Sequence, residues 1–165
     1  MAANSEQDAL DSVAYLYLRE LSEPRDNSLR LVIDEAVTQE SDSVRADGLD
    51  LPELAEILKD AKTIETIESC LTFELTWEDY VAYLVTEECV GSCGDYDDET
   101  FSGRLFRVYT KSHFLDHLAR DTGGHTGVLH HYKLTCLNHL IDVASYAPPE
   151  VRIVRPVSPT PVRIQ

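Results

Sequence analysis

The chain has 165 residues, 43% of them hydrophobic, with 30 acidic side chains against 14 basic ones and a net charge of −16 at pH 7. That length suits one domain able to bury roughly 70% of its unfolded surface, and the apolar content argues against charge-driven disorder. An acidic surface is repelled by phosphate backbones and anionic lipid, and no apolar run approaches the roughly 18 residues that cross a bilayer. Nucleic acid and membrane are therefore not expected partners.

Residues 1–11 are small, polar and acidic and read as a disordered leader. They lack the basic start and apolar stretch of a signal peptide, which predicts a cytoplasmic protein with reduced thiols. From Val13 to Leu21 and from Leu29 to Val37 apolar residues recur with partial period two, and the turn chemistry of Glu23-Pro24-Arg25-Asp26-Asn27 lies between them. The reading is an antiparallel hairpin with a connection of about five to seven residues.

After a polar loop from Gln39 to Gly48, Asp50-Leu51-Pro52-Glu53 has the features of a helix start: a capping carboxylate, a proline with no amide to leave unpaired, and an acid at the positive end of the dipole. Leu51, Leu54, Ala55 and Leu58 follow at helical spacing and predict a helix over 51–61. The clearest strand signal comes next, with Ile67, Leu71, Phe73, Leu75 and Trp77 alternating against Glu68, Thr72, Glu74 and Thr76. Glu78-Asp79 reads as a tight turn into a partner strand, Tyr80 to Glu87.

Cys89 to Gly103 reads as a solvent loop because Asp95-Tyr96-Asp97-Asp98-Glu99 resists burial. Arg104 to Thr110 resumes a strand, and Ser112 caps a helix that Gly123-Gly124 stops. His130 to Ser145 favours a strand bent near Asn138-His139, since strong helix formers are few. Pro148-Pro149 ends it, and residues 151–165, with three prolines, three arginines and no acid, form an extended tail or edge arm. The predicted fold is α+β: one domain over 12–150, built on a single largely antiparallel sheet of about five to seven strands with two short helices packed on one face.

Several groupings of side chains bear on chemistry. His113 and His117 stand four apart on a predicted helix, the spacing of helical zinc ligands, and make a metal-dependent enzyme the alternative function; Cys136, His139 or Asp142 would be the third ligand. Position 114 is Phe, so the general base of the helical metalloprotease pattern is missing. His130-His131 should point to opposite faces of a strand. His139 with Asp142 suggests an oriented base, with Cys136 as a neighbouring thiol, but a Cys and His three apart on one strand rarely align. Cys70 and Cys136 read as buried hydrophobes, while Cys89-Val-Gly-Ser-Cys93 lacks a second ligand pair. Neither a phosphate-binding glycine loop nor a Gly-x-Ser-x-Gly elbow is present, so no cofactor and no catalytic residue is assigned.

The acids are unevenly divided. Residues 1–100 carry 26 acidic and 6 basic side chains, a net of −20, whereas residues 101–165 carry 4 and 8, a net of +4. They either solubilise a folded domain or form a surface for a basic partner protein, with Glu78, Asp79, Glu87, Glu88, Asp95, Asp97, Asp98 and Glu99 supplying charge and Trp77, Tyr80 and Tyr96 supplying anchors. An acidic immunity protein that plugs the basic cleft of a toxin such as a nuclease is the leading expectation. An internal alternative folds the basic tail over the acidic sheet.

The segment from His131 to Ser145, with the pattern Tyr132-x-x-x-Cys136-x-Asn138-His139-x-x-Asp142-Val143, resembles a stretch shared by small uncharacterised bacterial proteins. Thr76-Trp77-Glu78-Asp79-Tyr80 and Tyr109 to Asp116 belong to the same pattern, so the resemblance spans about 70–150. It implies no activity and carries over no catalytic residue.

Overall fold

Alternation of apolar and polar residues dominates the chain, and strands dominate the fold. The computed structural model describes residues 5–39, 62–90, 98–124 and 127–154. The elements are α1 (Ser5–Ser12), β1 (Tyr15–Arg25), β2 (Ser28–Gln39), β3 (Thr63–Glu65), β4 (Thr72–Trp77), β5 (Tyr80–Glu87), β6 (Thr100–Ser102), β7 (Phe106–Lys111), α2 (His113–Asp121), β8 (His130–Thr135), β9 (His139–Ser145) and β10 (Glu150–Val154). The helix expected over 51–61 lies outside the described residues.

The strands form two antiparallel sheets, where the sequence suggested one. The first runs β1-β2-β4-β10 with β3 beside β2, and the second runs β5-β9-β8-β7-β6. Their inner faces meet in one core: Leu29, Leu31, Ile33, Phe73, Leu75 and Trp77 from the first sheet pack with Phe106, Tyr132, Leu134, Ile141 and Val143 from the second. The Trp77 and Tyr132 rings touch across the interface at 6.0 Å. A single sheet would have left one apolar face of this length uncovered; two sheets cover each other.

The first hairpin forms as its pattern predicts, with β1 and β2 in register from Tyr15↔Ala36 to Arg25↔Ser28. Its connection is tighter than expected, only Asp26-Asn27, because Asn27 takes the left-handed conformation at φ 57° and reverses the chain in one step. The second expected hairpin does not exist. β4 pairs with β2 and β10, while β5 pairs with β9, so Glu78-Asp79 is a corner at which the chain leaves one sheet for the other. The alternation read on β4 is seen in its burial, whereas β5 is half-buried to exposed along its whole length; two exposed polar residues serve a corner as well as a turn.

The bent strand expected over 130–145 is instead a hairpin, β8 and β9, joined by Cys136-Leu137-Asn138. That connection is stitched to the opposite sheet. Asn138 Oδ1 accepts from Leu18 N–H at 3.0 Å, its Nδ2 donates to Leu18 O at 2.9 Å, and Leu137 N–H donates to Leu16 O at 2.8 Å. An Asn138→Ala variant forfeits both side-chain bonds and takes their partner from the N–H and C=O of half-buried Leu18, so urea unfolding should register a loss of about 1–3 kcal/mol. An unchanged midpoint would show that water replaces the clamp at no cost.

Residues 5–12, expected within a disordered leader, are helical because the helix has somewhere to dock. Leu10 is fully buried, and the Asp11 carboxylate gathers the backbone N–H groups of Arg104, Leu105 and Phe106 at 2.5–3.2 Å. Gly103 precedes them at φ 92°, and a Cβ there would lie 2.1 Å from Phe106 O, so the turn requires glycine. Helix α2 starts at Ser112, whose hydroxyl accepts from Leu115 N–H, and packs beside β8. The two helices therefore do not share one face of one sheet. The tail begins as the edge strand β10, beyond which residues 155–165 lie outside the description.

Candidate functional site

Strand pairing brings together a set of polar side chains that the sequence does not show as a group. Tyr109, His131 and Ala144 align across β7, β8 and β9, as do Arg107, Lys133 and Asp142 one step further along. Strand alternation puts these on the face of the second sheet turned away from the core. Ser112 follows β7 directly. The result is a hydrogen-bonded chain: His131 Nδ1 lies 2.9 Å from Ser112 Oγ, His131 Nε2 lies 2.8 Å from Asp142 Oδ1, and Lys133 Nζ lies 3.5 Å from the same carboxylate oxygen.

With the hydrogen on Nε2, His131 donates to Asp142 and takes the Ser112 hydroxyl hydrogen at Nδ1, while that hydroxyl accepts from Leu115 N–H. The residue types are those of a serine hydrolase triad, but the surroundings differ. Ser112 is 2% exposed and His131 3% exposed. The imidazole is stacked on Tyr109 at 4.4 Å and meets the Phe114 ring edge-on at 5.1 Å. A nucleophile must reach a substrate, and this hydroxyl is enclosed and already used as a helix cap. The chain of groups acts as a polar pin holding α2 to β8 and β9.

Sequence reasoning paired Asp142 with His139, whereas its partner is His131. Residues three apart on a strand face opposite ways, so alternation already argues against His139 and Asp142 meeting. The separation of His130 and His131 is as expected, with His130 exposed and His131 buried. His113 is exposed; its Nε2 lies 3.1 Å from Asp98, and its N–H donates to Glu99 at 2.8 Å. Among the described residues no three His, Cys, Asp or Glu side chains group as metal ligands. Cys136 and His139, considered as third ligands, lie at the opposite end of the second sheet, linked by a backbone bond from Cys136 N–H to His139 O.

The expected docking residues are dispersed. Trp77 is 1% exposed and belongs to the core, so it cannot serve as a surface anchor. Tyr80 is half-buried, and both it and Tyr83 donate their phenol hydrogens to Glu23, which raises both phenol pKa values. Glu78 and Asp79 are exposed where β5 begins and Glu87 and Glu88 where it ends, about 26 Å apart for a strand of this length. Asp98 and Glu99 share the end of Glu78 but lie near the far edge strand, roughly 19 Å away across the strand spacings. Asp95, Tyr96 and Asp97 lie outside the described residues. Glu78 pairs with Arg25, whereas Asp79, Glu87 and Glu88 form no ion pair with another described residue.

Cys70 and Cys136 are buried, as their apolar settings predict, and Cys89 is exposed; all three are free thiols. A small cavity of about 130 Å3 lies at the end of the core, lined by Tyr15, Leu16, Glu88, Leu105, Thr135, Cys136 and Leu137. Burial pushes the Cys136 thiol and the Tyr132 phenol up to about 12 from ordinary values of 9.0 and 10.0. Both groups keep their protons in the fold after the unfolded chain has lost them. The contribution of these two groups to stability is thus constant below about pH 9 and falls as pH rises toward about 12. Urea midpoints from pH 8 to 11 should trace that fall, and Tyr132→Phe should make it shallower above about pH 10 while leaving the Cys136 share. A decline already complete at pH 8 would contradict it.

Compared with protein-family models, with curated proteins and with solved structures, the chain gives no match.

Proposed function

We propose that the chain is a non-catalytic acidic module that binds a basic protein, an immunity protein held against a basic toxin being the form this would take in a bacterium. The observation that carries the reading is the exposed set Asp79, Glu87 and Glu88 along one sheet edge, none of which ion-pairs with a described residue, within a chain of net charge −16. Exposed carboxylates leave a field that accelerates encounter with a basic surface and rejects acidic ones. The enclosed Ser112–His131–Asp142 chain supports the same reading, because its nucleophile has no route to a substrate.

The test is titration of the purified chain against basic proteins encoded beside it. The expected result is a stable complex whose association rate drops at least about tenfold between low and physiological salt. Replacing Glu87 and Glu88 together by Gln should lower that rate while leaving folding intact. Binding that is indifferent to salt, or hydrolytic turnover lost in Ser112→Ala, would overturn the proposal.

A further inference from the structure

We infer that the edge of β5, which no described strand covers, receives an extended segment of the basic partner as an added antiparallel strand, apolar in the middle and carrying Lys or Arg at both ends; this rests on the reading above and specifies its site. Among the described residues β5 pairs as a strand only with β9; at its two ends Tyr80 N–H donates to Asn27 O and Glu87 O accepts from Val90 N–H. Between Ala82 and Thr86 no described residue pairs with the N–H and C=O groups on its other side.

Natural proteins blunt such edges with proline, charge, bulges or brevity. The other edges here follow that rule. β1 carries Arg19, Glu20 and Pro24 and has two register shifts, β10 has five residues with Glu150 and Arg152, and β6 has three. β5 breaks it: Tyr80 to Thr86 contains no charge and no proline, and pairing from Ala82 to Glu87 is regular. Leu84 and Val85 are 50% and 37% exposed on its two faces, an apolar stretch that an added strand would cover.

The charges at the ends select the occupant. A second copy pairing antiparallel about Tyr83 would set Glu87 and Glu88 against Asp79 and Glu78, acid on acid at both ends, which disfavours self-association. The chain's own residues 155–165 contain Pro156, Pro159 and Pro161, each lacking the N–H that a ladder needs. A segment with basic residues at both ends satisfies the ladder and the carboxylates together.

The probe is a short peptide of alternating valine and threonine closed by paired arginines, titrated into the full chain by calorimetry, with amide exchange followed along β5. Binding should protect amides between Ala82 and Glu87, and both Leu84→Lys and backbone N-methylation of the peptide should weaken it at least about tenfold. If the peptide fails to bind while a basic protein still binds in a salt-dependent way and tolerates Leu84→Lys, the edge inference falls and the acidic-module reading stands. If no basic protein binds, the broader reading falls. A concentration-dependent dimer abolished by Leu84→Lys, or tighter peptide binding by a chain ending at Val154, would assign the edge to a second copy or to the tail and overturn the inference.

Discussion

Replacing Trp77 by alanine will remove about 3–5 kcal/mol of folding stability, the range for truncating a large aromatic side chain in a packed core. The indole is 1% exposed, follows Phe73 and Leu75 on the inner face of β4, and contacts Tyr132 of the facing sheet. Domains of this size have only about 5–15 kcal/mol in total, so the variant should sit near the edge of folding. Trp77 is the sole tryptophan, which makes its fluorescence a direct report on wild-type unfolding, while circular dichroism serves for the variant. Trp77→Phe should cost less: it keeps a ring in the slot and deletes an indole N–H that has no hydrogen-bond partner among the described residues. A near-neutral Trp77→Ala would return this residue to the surface role its neighbours first suggested.

The second large effect is expected at Asp142. Its carboxylate holds the His131 ring nitrogen and the Lys133 ammonium. Asp142→Ala removes both partners from groups that are themselves enclosed, His131 between Tyr109 and Phe114 and Lys133 with a side chain 17% exposed. Breaking one side of a buried charged contact costs about 3–5 kcal/mol, because the surviving group stays desolvated without compensation. Ser112→Ala, which loses a helix cap and the partner of His131 Nδ1, should cost about 1–3 kcal/mol. A double-mutant cycle between Ser112 and Asp142 tests whether the chain of groups acts as a unit: coupling above about 0.5 kcal/mol supports this, and simple additivity would reduce it to two separate contacts.

Strand positions were legible in the sequence because alternation is a property of neighbouring residues. Val13 to Val37 and Leu71 to Glu87 show their apolar faces directly, and Ser112 announces the start of α2. Pairing was not legible. Glu78-Asp79 can turn a hairpin or turn a corner, and only the destination of β5, decided by residues near 140, separates the two. The Ser112–His131–Asp142 grouping depends on β7, β8 and β9 lying side by side, so no local pattern contains it. The docking surface was legible only as composition: alternation put Trp77 on the apolar face with Phe73, the face expected in the core, which already conflicted with its use as a surface anchor. Helix α1 was missed because its fixing contacts, Leu10 and Asp11, are made with the distant start of β7.

The corner at Glu78-Asp79 faces a second corner, since Thr76 pairs with Glu150 on one side and Tyr80 pairs with Ser145 on the other. The two sheets are thus joined by a single two-stranded ribbon that bends from one layer into the next. Everything between Tyr80 and Ser145 hangs from that ribbon as a closed loop. Zipping β5 against β9 draws residues 76 and 150 together before they pair, shortening the loop whose closure entropy β10 must overcome. Assembly of the second layer is thereby coupled to completion of the first, and the last described strand is also the one most dependent on all that precedes it.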